Sequence, residues 1–135
     1  MALTTDRHTT RRDGAENVDP VAADTTIYVG ALVVLDASGN AEPGSAATGL
    51  VARGVAAEPA DNAGGQAGDL SVRTRKGVFR FGNSAGGDEI TRAEIGDTAY
   101  IVDDETVAKT DDTGSRSAAG TIEDVDDIGV WVRFD

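Results

Sequence analysis

Turn-forming residues interrupt this chain so often that no long helix has room to form. It contains seventeen glycines, seventeen aspartates and fourteen threonines. Aspartate competes with helical hydrogen bonding and favours turns, and glycine carries the largest backbone entropy cost inside a helix. Between the turns lie short aliphatic and β-branched runs such as Leu32-Val33-Val34-Leu35, Tyr100-Ile101-Val102 and Val130-Trp131-Val132. Runs of that kind suit strands. The expected fold class is all-β: a small antiparallel β-barrel or sandwich with an extended N-terminal arm and at most one short helix. At 135 residues the chain is read as one domain, large enough to bury a core without crosslinks.

Cysteine is absent and His8 is the only histidine. Disulfides, thiolate nucleophiles, cysteine-ligated zinc and any two-imidazole mechanism are thereby excluded. Twenty-four acids against twelve bases give a net charge of −12. That balance argues against binding a nucleic-acid backbone or an anionic membrane surface. No apolar run approaches the roughly 18 residues of a membrane span and no signal-peptide pattern occurs, so a soluble, unprocessed chain is expected. The charge is uneven. Residues 1–87 hold ten acids and eight bases, whereas residues 88–135 hold fourteen acids and four bases.

Residues 1–24 are polar and aperiodic, with Leu3, Val18 and Val21 as their bulky apolar members. They read as an extended arm, and residues 25–135 as a single β domain. Strands are expected over 26–36 with a bend at Gly30, and over 49–58, 98–102, 106–109 and 129–134. Turns are expected at 37–40 and 111–115, and a loop over 59–68. Asp88 as N-cap and Gly96 as stop frame one or two helical turns at 89–95. The stretch Leu70–Phe81 sorts best as a hairpin turning at Lys76-Gly77. Leu70, Val72, Thr74, Phe79 and Phe81 then share one face, and Ser71, Arg73, Arg75, Val78 and Arg80 the other. That register sets Arg73 against Arg80, so acidic groups from this chain or another should cover the basic face. Val33–Asp36 leading to Ala41 has the same spacing as Tyr100–Asp103 leading to Ala108. The echo reads as two strand-turn-strand units or as internal duplication.

Candidate chemistry is sparse. The paired acids Asp103-Asp104, Asp111-Asp112 and Asp126-Asp127 point to opposite faces on a strand and read as solvated turns. Asp124, Asp126 and Gly129 mimic part of a calcium loop, but Ile128 stands where a ligand belongs and a strand follows. His8 has no fixed orienter or dry pocket. The serines lack a nucleophile elbow, and Gly64-Gly65 and Gly86-Gly87 lack the lysine and helix of a phosphate loop. Arg73, Arg75, Lys76 and Arg80 are too few to bind nucleic acid on so acidic a chain, and read as internal pairs or a protein interface. Trp131 points away from Val130, Val132 and Phe134. It fits either a second buried face or an interface anchor.

Several stretches in this order resemble a known family. They are the arm Thr4-Thr5-Asp6-Arg7 to Arg11-Arg12-Asp13-Gly14, Ile27-Tyr28-Val29-Gly30-Ala31-Leu32-Val33, the turn Ala37-Ser38-Gly39-Asn40-Ala41, Asp61-Asn62, Gly77-Val78-Phe79-Arg80-Phe81, and Tyr100-Ile101-Val102-Asp103-Asp104-Glu105-Thr106-Val107-Ala108-Lys109-Thr110. Together they resemble the structural cement, or capsid decoration, proteins of tailed bacteriophages and prophages. The resemblance implies a β-tulip-like body, no catalytic residue, no metal and no cofactor. It implies a place on the outer surface of the virion capsid after synthesis in the host cytoplasm. The partner it implies is the major capsid protein, whose capsomers the protein locks together as a homo-oligomer, a trimer favoured over a dimer. The arm residues Leu3, Thr4, Thr5, Arg7, His8, Arg11 and Arg12 are then the capsid-binding candidates. Arg73, Arg75, Arg80 and Trp131 are the interface candidates. The alternative is a soluble β-barrel binding module for carbohydrate or a tail component, with Tyr28, Tyr100 and Trp131 as its candidate aromatics.

Overall fold

A computed structural model describes residues 2–135 and contains β1 (Glu16–Pro20), β2 (Thr25–Ile27), β3 (Leu32–Leu35), β4 (Ala41–Pro43), β5 (Val51–Ala56) and β6 (Ala60–Asn62). They are followed by β7 (Ser71–Arg75), β8 (Gly77–Asn83), β9 (Thr98–Ile101), β10 (Thr106–Ala108), β11 (Ala118–Val125) and β12 (Val130–Phe134). The helical content among the described residues is two 3₁₀ turns, Gly86–Asp88 and Arg92–Glu94. The fold is all-β, and it contains a closed five-stranded barrel in the order β10-β8-β12-β11-β9. A second sheet runs β1-β7-β5-β3-β4, and β2 pairs with β6. Just past β1, Val21 bridges to Ala41 of β4, so the two edges of the second sheet meet there. Pairing is antiparallel except for that bridge and the β8–β10 contact.

The apolar run of β3 follows from burial on both faces. Leu32 and Val34 enter the barrel core with Phe81, Ile101, Ile122, Val130, Val132 and Phe134. Val33 enters a second core with Val21, Ile27, Ala41 and Val72. A strand buried on both faces reads as continuous rather than alternating hydrophobicity. Each such fully buried aliphatic side chain is worth about 1.5–3 kcal/mol. Phe81 and Phe134 meet edge to face at 5.8 Å. The sequence echo corresponds to two antiparallel hairpins, β3–β4 and β9–β10. In the first, Asp36 Oδ1 accepts the Ser38 N–H at 2.8 Å. In the second, Asp103 Oδ1 accepts the Glu105 N–H at 2.9 Å. Each aspartate thus closes its own turn.

Three expectations are corrected. The hairpin at Lys76-Gly77 does not form: β7 pairs with β1 and β5, and β8 pairs with β12 and β10. Gly77, at φ +138°, instead passes the chain from one sheet to the other. Each strand satisfies its alternation in a different core, Val72 and Thr74 in one and Phe81 in the other, along five-residue ladders with β1 and β12. The arm is also shorter than residues 1–24. Glu16–Pro20 lies along β7 through five residue pairs, and Val21 and Ala22 are buried. This polar strand is held by backbone ladder bonds and by ion pairs of Asp19 and Glu16, so hydropathy does not reveal it. Finally, 89–95 holds a single 3₁₀ turn capped by Thr91 rather than Asp88. Ile90 is buried in the barrel core while Ile95 is exposed. Strand β6 within the expected loop, and the eight-residue β11, were not anticipated.

Candidate interaction surfaces

The unpaired N-terminal segment is residues 2–14. Every residue from Ala2 to Glu16 is exposed. Leu3, Thr4, Thr5, Arg7, His8, Arg11 and Arg12 therefore lie together on one solvated stretch. It holds three arginines against two aspartates, the reverse of the chain's overall balance. Its root is fixed by a contact that has no local sequence signature, because its partners are 34 residues apart. Arg53 of β5 grips Asp19 of β1 through two hydrogen bonds, Nε to Oδ2 at 2.8 Å and Nη2 to Oδ1 at 3.1 Å. The fork geometry is the strong form of a carboxylate contact.

The interface candidates separate into two places. Arg73 and Arg75 project from β7 onto Glu16 of β1 at 3.6 and 3.4 Å, and Arg73 also approaches Glu58 at 3.7 Å. The acidic cover expected over these arginines thus comes from the same chain. All four side chains are well exposed, so these pairs add little stability. Arg80 does not face Arg73. It sits opposite Trp131 across the β8–β12 ladder, with its guanidinium 5.7 Å from the ring centroid. Trp131 Nε1 donates to Asp126 Oδ2 at 2.9 Å. Asp126 Oδ1 accepts the N–H groups of Ile128 and Gly129 at 2.8 and 3.0 Å. The indole donor, with these backbone donors and nearby Arg80, holds the Asp126 carboxyl below the usual carboxylate range. With Arg80 over its ring and its N–H taken, half-buried Trp131 is not the bare stacking platform a sugar site needs.

The acidic turns gather no metal site. Among the described residues no group of three or more histidine, cysteine or carboxylate side chains converges. Asp124 pairs with Arg92 at 3.0 Å, and Asp126 closes the β11–β12 turn. Asp88 bonds to Thr110 and to Arg116, and these contacts lower its pKa. Glu94 is likewise lowered by the N–H and hydroxyl of Thr91 in the capping box. A further surface is the tip Tyr28-Val29, residues 70% and 64% exposed, of which the sequence offered Tyr28 only as a candidate aromatic of the alternative binding module. No family model, no curated protein and no solved structure matches the chain.

Proposed function

We propose that this chain is a non-enzymatic structural cement protein of a tailed-phage or prophage head. In this reading it binds the outer surface of the assembled capsid and stabilises contacts between capsomers of the major capsid protein. It acts as a homo-oligomer, a trimer in preference to a dimer. The observation that carries the reading is the arm: residues 2–14 are exposed and unpaired, yet rooted by β1 and the Asp19–Arg53 pair in an all-β body. A polar segment that orders only on its partner can lay its main chain against a sheet edge there. The family resemblance in the sequence points the same way. The carbohydrate alternative is weakened by the covered state of Trp131.

The test is deletion of residues 2–14, followed by co-sedimentation with undecorated heads and electron microscopy of the particles. The truncated chain is expected to stay folded and to lose decoration. Unchanged affinity for heads would remove the arm from the mechanism, and failure of the full chain to bind any head would remove the cement reading itself.

A further inference from the structure

We propose that the tip after β2 and the acidic turn between β9 and β10 form a docking surface for a basic segment of a partner protein. The proposal does not rest on the capsid reading. Tyr28, Val29, Gly30 and Ala31 face Asp104 and Glu105 across an open cleft of about 400 Å3. Both walls are held by backbone bonds. Gly30 N–H donates to the Ala56 carbonyl at 2.9 Å and Ala31 N–H to the Tyr28 carbonyl at 3.2 Å. On the other wall, the Asp104 carbonyl accepts from Leu32 N–H at 2.9 Å and the Glu105 carbonyl from Gly82 N–H at 2.7 Å. The exposed side chains therefore sit on fixed backbone, which lowers the entropy cost of using them.

Charge and shape select the occupant. Asp103, Asp104 and Glu105 are three consecutive carboxylates, and none has an ion-pair partner among the described residues, where the ion pairs involve other acids. Beside them stand an exposed aromatic ring and an exposed valine. An arginine or lysine side chain matches both halves. Its alkyl stem covers Val29, its cationic head meets the Tyr28 ring face, and its N–H groups reach the carboxylates. A polyanion is repelled by the same carboxylates.

The experiment titrates the 15N-labelled full chain with a capped Gly-Arg-Leu-Arg-Gly peptide, and with the same peptide carrying glutamates in place of arginines. Amide shifts are expected at 27–31 and 103–106 with the basic peptide alone. Tyr28→Ser and the double change Asp104→Asn with Glu105→Gln should each weaken binding about fivefold. Equal shifts at the acidic turns 111–113 and 126–128 would mean generic attraction to a −12 protein and overturn the proposal. So would unchanged affinity in either variant. Should Tyr28→Ser perturb the fold, the carboxylate variant, which alters turn groups that make no ion pair among the described residues, decides.

Discussion

Removing the Arg53 guanidinium by Arg53→Met tests how the arm is anchored. The side chains of Arg53 and Asp19 are 25% and 12% exposed. Breaking a fully buried pair costs about 3–5 kcal/mol, and an exposed pair is worth about 0–1 kcal/mol. The pair lies nearer the first limit. Arg53→Met strands the Asp19 carboxylate with little water, so a loss of about 2–3 kcal/mol is expected. Asp19→Asn leaves a guanidinium that can swing into solvent, so it should cost less, about 1–2 kcal/mol. For a chain of 135 residues the unfolding entropy is roughly 0.28 kcal/mol/K, so Arg53→Met should lower Tm by about 7–11 °C. The double variant should cost less than the sum of the singles, because Asp19→Asn removes the stranded charge. Calorimetry measures the shifts, and amide exchange over Glu16–Pro20 should rise in both singles. A Tm change below about 2 °C for Arg53→Met, or strict additivity, would refute the reasoning.

Gly54 has φ +122°, and a Cβ there would lie 2.1 Å from the Arg75 carbonyl oxygen. Gly54→Ala is therefore expected to cost more than about 3 kcal/mol by urea titration, while Gly39→Ala, strained but in open space, should cost about 1 kcal/mol. Burial, with Asp36 nearby, raises the Glu42 pKa, so ionised Glu42 subtracts stability above that pKa. Glu42→Gln should raise Tm at neutral pH, with the gain shrinking toward about pH 4. Asp88, Glu94 and Asp126 are shifted the other way. Their stabilisation is present above the ordinary carboxylate range and is lost as pH falls through their lowered values, so unfolding should steepen below about pH 4. Asp126→Asn should flatten part of that slope and shift Trp131 emission. Head decoration should be weaker at about 10 mM salt than at about 0.1 M, measured by co-sedimentation.

What was legible in the sequence was what depends on local pattern. The all-β class followed from turn residues, and the turns after Asp36 and Asp103 from the strand-turn-strand echo. What was not legible depends on partners chosen across the chain. Leu70–Phe81 sorted into two faces, but the sorting holds equally for a hairpin and for two strands in different sheets. Only the competition of β1 and β12 for those edges decides between them. Strand β1 has no buried apolar residue of its own, since Val18 is exposed and Asp19 is buried through a partner 34 residues away. Composition marked residues 1–24 as an extended arm, of which residues 2–14 are exposed and unpaired while Asp19, Val21 and Ala22 are buried. Setting Arg80 against Arg73 followed directly from the mistaken hairpin, and the true pairing puts Arg80 opposite Trp131.

The salt dependence rests on where the unpaired charges lie. In residues 88–135, Arg92, Arg116 and Arg133 are each taken by a carboxylate of the same segment. The surplus acids at 103–105, 111–112 and 127 stand on turns without an ion-pair partner among the described residues. The arginines of residues 2–14, by contrast, are exposed and have no ion-pair partner among the described residues. A cationic arm is therefore tethered to an anionic body. Extended, residues 2–14 span roughly 45 Å, enough to reach much of that body's surface. At about 10 mM salt, screening extends to about 30 Å, so the arm is drawn back onto its own acidic turns while neighbouring bodies repel one another. In the proposed cement role, both effects oppose binding to a head. At about 0.1 M salt the range falls to about 10 Å, which releases the arm and quiets the repulsion between copies. The two contributions separate cleanly in the isolated chain. Backbone 15N relaxation over residues 4–12 should show restricted motion at low salt and free motion at moderate salt. Motion that ignores salt would leave repulsion between copies as the sole cause of weak decoration.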